Sequence, residues 1–184
     1  MDSVVERAKK KYKKDSEYWA PIYEEAKNDL YFLSDDKYAQ WDQSEYDRRE
    51  STNRPILTID QTTQFVHQVA NKLRINTPSI NIVPSDDDAD VETAEVFKGI
   101  IRNIEYRSKA DSAYDLAGTF SVKCSIGYVR VDHSYTDLSE TEQELVINRV
   151  VNPLSVFPDC RTEKIDGSDM KHCTILECIS KEEF

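Results

Sequence analysis

Few side chains in this chain could carry chemistry, and their spacing limits what that chemistry could be. The soft ligands are three histidines and four cysteines, Cys124, Cys160, Cys173 and Cys178. Only His172, Cys173 and Cys178 cluster. Their spacing fits no familiar zinc pattern, and Cys173 and Cys178 would point to opposite faces of a strand. Asp132 and His133 place an acid beside a base, but neighbours on a strand project apart and cannot share a site directly. His133 reads instead as a half-buried sheet residue. The run Ser85-Asp86-Asp87-Asp88 suggests a metal loop or the start of a helix. An EF-hand begun at Asp86 would need glycine where Val91 stands and glutamate where Phe97 stands. Capping is the better reading, with the carboxylates set against the positive end of the helix dipole.

The usual nucleotide and hydrolase signatures are missing. There is no GxxxxGK[ST], GxSxG or HExxH, and the four glycines, at 99, 118, 127 and 167, cannot compose GxGxxG. The expectation is therefore no catalytic residue, no metal ligand, no cofactor and no enzyme activity, with folding independent of metal or nucleotide. Arg7, Lys9, Lys10, Lys11, Lys13 and Lys14 form a basic stretch that winds around its helix. It suits a phosphate backbone or an acidic partner, although a plain solvated helix is the simpler account.

These residues sit in an acidic chain of 184 residues with a formal net charge of −11. That balance argues against a dedicated duplex-binding module. It fits contact with basic partners, or a wall to which DNA should not adhere. No apolar run approaches the ~20 residues of a membrane span, and no apolar h-region follows MDSVVERAKKKYKK. Reduced cysteines in a cytoplasmic setting are expected.

The elements that must position these side chains follow from periodicity. Residues 3–34 read as a helix whose seam is Val5, Tyr12, Trp19, Ala26 and Leu33, seven apart, with Pro21 expected to kink or split it. So narrow a seam must lie against something, and it is the candidate subunit-interface seam. Residues 35–54 read as an irregular connection with one helical turn. ILTID is short and extended. Asp60 is expected to cap a helix that buries Phe65, Val66, Val69 and Leu73, and SINIV reads as a strand. Residues 90–126 form a two-part helix with a break near Ser108 and Gly127 as its stop. The period then changes to 2. A hairpin of 128–135 and 144–151 is expected, joined by a third strand at 172–179, with Phe97, Ile101, Ile104, Leu116 and Phe120 packed on the resulting sheet. NPLSVFPDC makes a rigid apolar bend between Pro153 and Pro158. SKEEF has capping-box spacing, so the chain reads as the front part of a longer polypeptide. The fold class is α+β: long N-terminal helices, then a two-part central helix on a small, mainly antiparallel sheet. The division expected is 1–54, a helical arm and connection, and 55–184, an α+β segment truncated at its C-terminus.

Two stretches carry a resemblance. DLYFLSDDKYAQWD with RPILTIDQTTQFVHQVANKLRINTPSINIVPSDD, and NRVVNPLSVFPDCRTEKIDGSDMKHC with its SKEEF ending, resemble the N-terminal region of podovirus-type phage portal proteins. The order of pieces matters more than any one of them, and together they cover roughly residues 29–184. The resemblance implies a subunit of the dodecameric ring at one capsid vertex, through which DNA is packaged and ejected. It also implies terminase, tail adaptor, scaffold and capsid proteins as partners, and assembly in the host cytoplasm into the virion. DNA would pass through the full ring without sequence-specific contact, and no membrane would be involved. The residues present would correspond to the peripheral, wing-like part, with stem and clip later in the family's sequence. Two rivals are a stand-alone interaction domain binding through its N-terminal helix, and a small metal-dependent hydrolase using Asp and His.

Overall fold

The computed structural model describes every residue except 1–2, 35, 37, 77–79, 85–90, 136–140, 165 and 181–184. In chain order the helices are α1 (Val4–Phe32), α2 (Gln43–Ser51), α3 (Thr62–Ile75), α4 (Val91–Ser108) and α5 (Ala110–Cys124). The strands are β1 (Val129–Tyr135), β2 (Gln143–Arg149), β3 (Val156–Pro158) and β4 (Cys173–Ile175), with a 3-10 turn, Pro153–Ser155, leading into β3. This is an α+β chain. It clusters into two compact units, Met1–Asp60 with Asn152–Phe184, and Gln61–Val151.

In the first unit, Ser3 and Glu6 start α1 with a reciprocal capping box. The helix runs unbroken through Pro21, so the proline does not split it. Its seam lies on the apolar bend. Tyr12 meets Phe157 edge to face at 5.3 Å, and Tyr23 packs on the same ring at 5.4 Å. Val156 and Phe157 are buried, and so are Tyr23 and Ala26. Asn152 caps the 3-10 turn by accepting from Leu154 N–H at 3.0 Å. β3 and β4 then pair antiparallel, Val156 opposite Ile175 and Pro158 opposite Cys173. The connection at 35–54 holds more helix than expected. Asp42 accepts from Ser44 N–H at 2.8 Å to start α2, and Arg48 bridges Glu45 along it.

In the second unit, the two-part helix breaks at Lys109, whose φ of 52° is left-handed. β1 and β2 form the expected hairpin, Val131 opposite Ile147 and His133 opposite Leu145. Ala110, Ala113 and Ile147 make a small buried cluster, with Ile104 and Tyr114 against it. α3 is tied to α5 by Arg74 and Asp115, 2.7 Å apart, and α4 to β2 by Arg107 and Glu144, 2.6 Å apart.

Several expectations are corrected. Residues 172–179 do not join the hairpin; Cys173–Ile175 pairs with β3 instead. Two strands span roughly 5 Å between axes, too narrow a sheet to cover a helix about 10 Å across. Phe97 is accordingly 53% exposed, and Ile101, Leu116 and Phe120 are only half-buried. On α3 only Val66 is buried, while Phe65, Val69 and Leu73 are exposed. The N-cap of α3 is Gln61, not Asp60, and its side chain makes no capping hydrogen bond. Residues 80–83 form no strand. The stop after α5 is Ser125, at φ 63°, not Gly127. Gly127 matters for another reason: a Cβ there would run into the Ala117 carbonyl and the Ser121 hydroxyl. The capping expected at Ser85–Asp88 falls outside the described residues, and so does Glu183, the partner expected for Ser180 in a capping box.

Candidate functional site

The largest fully buried side chain among the described residues is an acid, Asp15, 1% exposed. It follows Tyr12 by three positions and precedes Trp19 by four, so α1 carries it inward with its seam. Asp159, 3% exposed, ends the apolar bend just after β3, and His172 stands just before β4. The strand pairing sets these two opposite each other, and Asp159 N–H donates to the His172 carbonyl at 3.1 Å. The imidazole then lies between the two carboxylates, Nε2 2.8 Å from Asp15 Oδ2 and Nδ1 3.3 Å from Asp159 Oδ2.

The remaining oxygens are also engaged. Cys160 N–H donates to Asp15 Oδ1 at 3.1 Å. Arg161 donates to Asp159 from its backbone at 3.1 Å and from its guanidinium at 3.2 Å. The Arg161 hydrogen bond holds the Asp159 carboxyl below the usual carboxylate range, against the opposing effect of burial, and His172 adds a smaller pull. Burial pushes the Cys173 thiol up, and the charge of Asp15 adds to it. All four cysteines are free thiols.

Asp15, Asp159 and Cys160 bring two carboxylate oxygens and a thiol within 4.8 Å of one another. Each carboxylate already accepts hydrogen bonds from N–H donors, and a guanidinium sits on one of them. Among the described residues no hydroxyl or thiol is hydrogen-bonded to the His172 ring. The cluster is therefore built as a lock that clamps α1 to the bend. Two further ties surround it. Trp19 Nε1 donates to the Pro158 carbonyl at 2.9 Å, and Tyr23 Oη to the Val156 carbonyl.

The seam residues divide. Tyr12 and Trp19 are spent on this packing, Ala26 is buried, Leu33 is half-buried, and Val5 is exposed. His172 and Cys173 fall in the lock and beside it, while Cys178 is exposed beyond β4. His133 is exposed rather than half-buried. Contrary to expectation it does approach Asp132, at 3.4 Å, because that carboxylate folds back to accept from His133 N–H at 2.9 Å. The pair lies on the open surface of a two-stranded ribbon.

Residues 9–184 match the sequence model of the phage P22-like portal proteins. The chain belongs to the phage P22-like portal protein family. The match takes in all but the first turn of α1, every other element and the whole lock. Portal proteins of this family are structural components of the phage particle with a part in DNA packaging, and they assemble as rings of identical subunits. No helix among the described residues of this portal chain is long and apolar enough to cross a membrane.

Proposed function

We propose that this portal subunit builds, with eleven further copies, the ring at one capsid vertex through which DNA is packaged and ejected. In this reading the subunit docks terminase during packaging and the tail adaptor afterwards, and meets scaffold and capsid proteins at its periphery. It is not an enzyme, needs no cofactor and makes no sequence-specific contact with DNA. It assembles in the host cytoplasm and stays in the virion. The observation that carries the proposal is the family match over residues 9–184. The surface supports it. Among the described residues ten hydrophobic side chains are buried and twenty-eight large ones are exposed, more apolar surface than a lone subunit has reason to leave open. Native mass spectrometry of the complete gene product, beside packaging by phage lacking the gene and complemented with it, tests this. Closed twelve-subunit rings and restored packaging are expected. A monomer at every concentration, or packaging without the gene product, would sink it.

A further inference from the structure

The two-stranded sheet of the first unit has two edges, and they are finished differently. β3 and β4 are tied through alternate residues. Asp159 N–H donates to the His172 carbonyl at 3.1 Å, and Leu176 N–H to the Ser155 carbonyl at 2.9 Å. In an antiparallel ladder the residues between such pairs turn their backbone groups outward. On β3 these are Val156 and Pro158, and each of their groups is answered. Val156 N–H turns back to the Pro153 carbonyl, and Pro158 has no N–H to offer. The Val156 carbonyl accepts from Tyr23 Oη, and the Pro158 carbonyl from Trp19 Nε1. That edge is sealed against a further strand.

On β4 the outward residues are Cys173 and Ile175. No group among the described residues hydrogen-bonds to the backbone N–H or C=O of either. Cys173 and Thr174 also line a groove of about 360 Å³, whose other wall is Ala8, Lys9, Lys11 and Tyr12 of α1. Both walls belong to the first unit. Neither Lys9 nor Lys11 has an acidic partner among the described residues. Their neighbours do not cancel them. Residues 3–14 and 171–177 hold seven lysines and arginines against two acids, Glu6 and Glu177. Glu6 is already held by the Ser3 N–H at 3.0 Å, and Glu177 is engaged as well. This corner is positive on a chain whose net charge is −11.

We propose that the outer edge of β4 docks an extended, acidic segment of a partner protein, which adds to the sheet as a third strand. An open edge selects an extended backbone, because a strand answers its N–H and C=O groups in register. Side chains of such a strand alternate between its faces. Those on the α1 side meet Lys9 and Lys11, which call for carboxylates at every second position. A second copy adding its own β4 would set one lysine-rich corner against another, and like charges disfavour that pairing. The occupant is therefore a different protein. The site is complete within the first unit and does not depend on ring closure.

The probe is a short peptide of alternating glutamate and valine, titrated into the complete gene product and followed by fluorescence anisotropy. Saturable binding is expected, and Lys9→Glu with Lys11→Glu should weaken it about tenfold or more. The same peptide methylated on every backbone nitrogen should not bind, since it keeps its carboxylates but can no longer donate to the edge. Amide exchange over residues 172–177 should be fast at Cys173 and Ile175 without peptide and slowed by it. The inference is overturned if the charge-reversed form binds normally, or if the methylated peptide binds as well as the parent, which would leave only a charged surface. It is also overturned if peptide leaves the two amides unprotected. Protection before any peptide is added would overturn it too, because the rest of the chain or a second copy would then cover the edge. None of these results bears on whether rings form, which the mass spectrometry above decides separately.

Discussion

Asp15 is the side chain on which the first unit turns. It is buried against the His172 Nε2 and the Cys160 backbone N–H, and removing it would leave both of these nitrogens without their partner. Breaking one side of a buried polar pair costs about 3 kcal/mol. Asp15→Ala should lower the unfolding free energy by about that amount in urea, and a loss under about 1 kcal/mol would mean that the lock does not hold α1. Asp159 sets an acid limit. Its carboxyl sits below the usual Asp value, about 3.9, so the folded state keeps the charge after the unfolded chain has taken up a proton. The stabilisation is full above that value and is lost as the pH falls through the lower folded one. Asp159→Asn should flatten stability against pH below about 4 and leave the slope above about 5 unchanged; an unaltered acid limb would remove Asp159 from the account. Sequence alone half-revealed this site. An acid between Tyr12 and Trp19 on an apolar seam was visible, but nothing local could name its partner, because His172 is 157 residues away.

At the scale of elements, local pattern was a good guide wherever the partner was near in sequence. The helix over 3–34, the break by Lys109 and the hairpin after Gly127 were all legible, since 3.6 and 2.0 periods are written into the chain itself. The third strand was misplaced because an apolar run of three residues pairs equally well with any open edge, and the winning edge was β3. The apolar faces of α3 and α4 are exposed despite their period, because apolar periodicity reports that a face wants cover, not which molecule supplies it. Gly127 resembles a helix stop in sequence, but its role is clearance. A methyl group there would strike the Ala117 carbonyl, which belongs to helix backbone and cannot swing aside. Gly127→Ala should therefore destabilise the protein by about 2 kcal/mol or more, while Gly99→Ala, in open space, should be neutral or stabilising for the isolated subunit. Thermal melts of the two variants check the contrast, and equal melting temperatures would refute it.

For the whole molecule, apolar surface is found on both units: Val4, Val5, Leu57 and Ile59 in the first, and α3, the first half of α4 and the hairpin positions Val131 and Tyr135 in the second. A hydrophobic dye such as ANS should bind the unassembled subunit and be displaced as rings form; fluorescence unchanged on assembly would mean these faces stay bare. The first unit is also assembled from the two ends of the sequence, with ties that join residues 139 and 157 positions apart. That separation has a consequence for synthesis. At about 5–20 residues per second, a ribosome needs roughly 8–30 s after making Asp15 before His172 exists. Once α1 has cleared the exit tunnel, Tyr12, Trp19 and Tyr23 stay uncovered for the rest of that time. A nascent portal chain is thus a client for any factor that shields aromatic helices near the ribosome, until translation delivers the strand that takes its place.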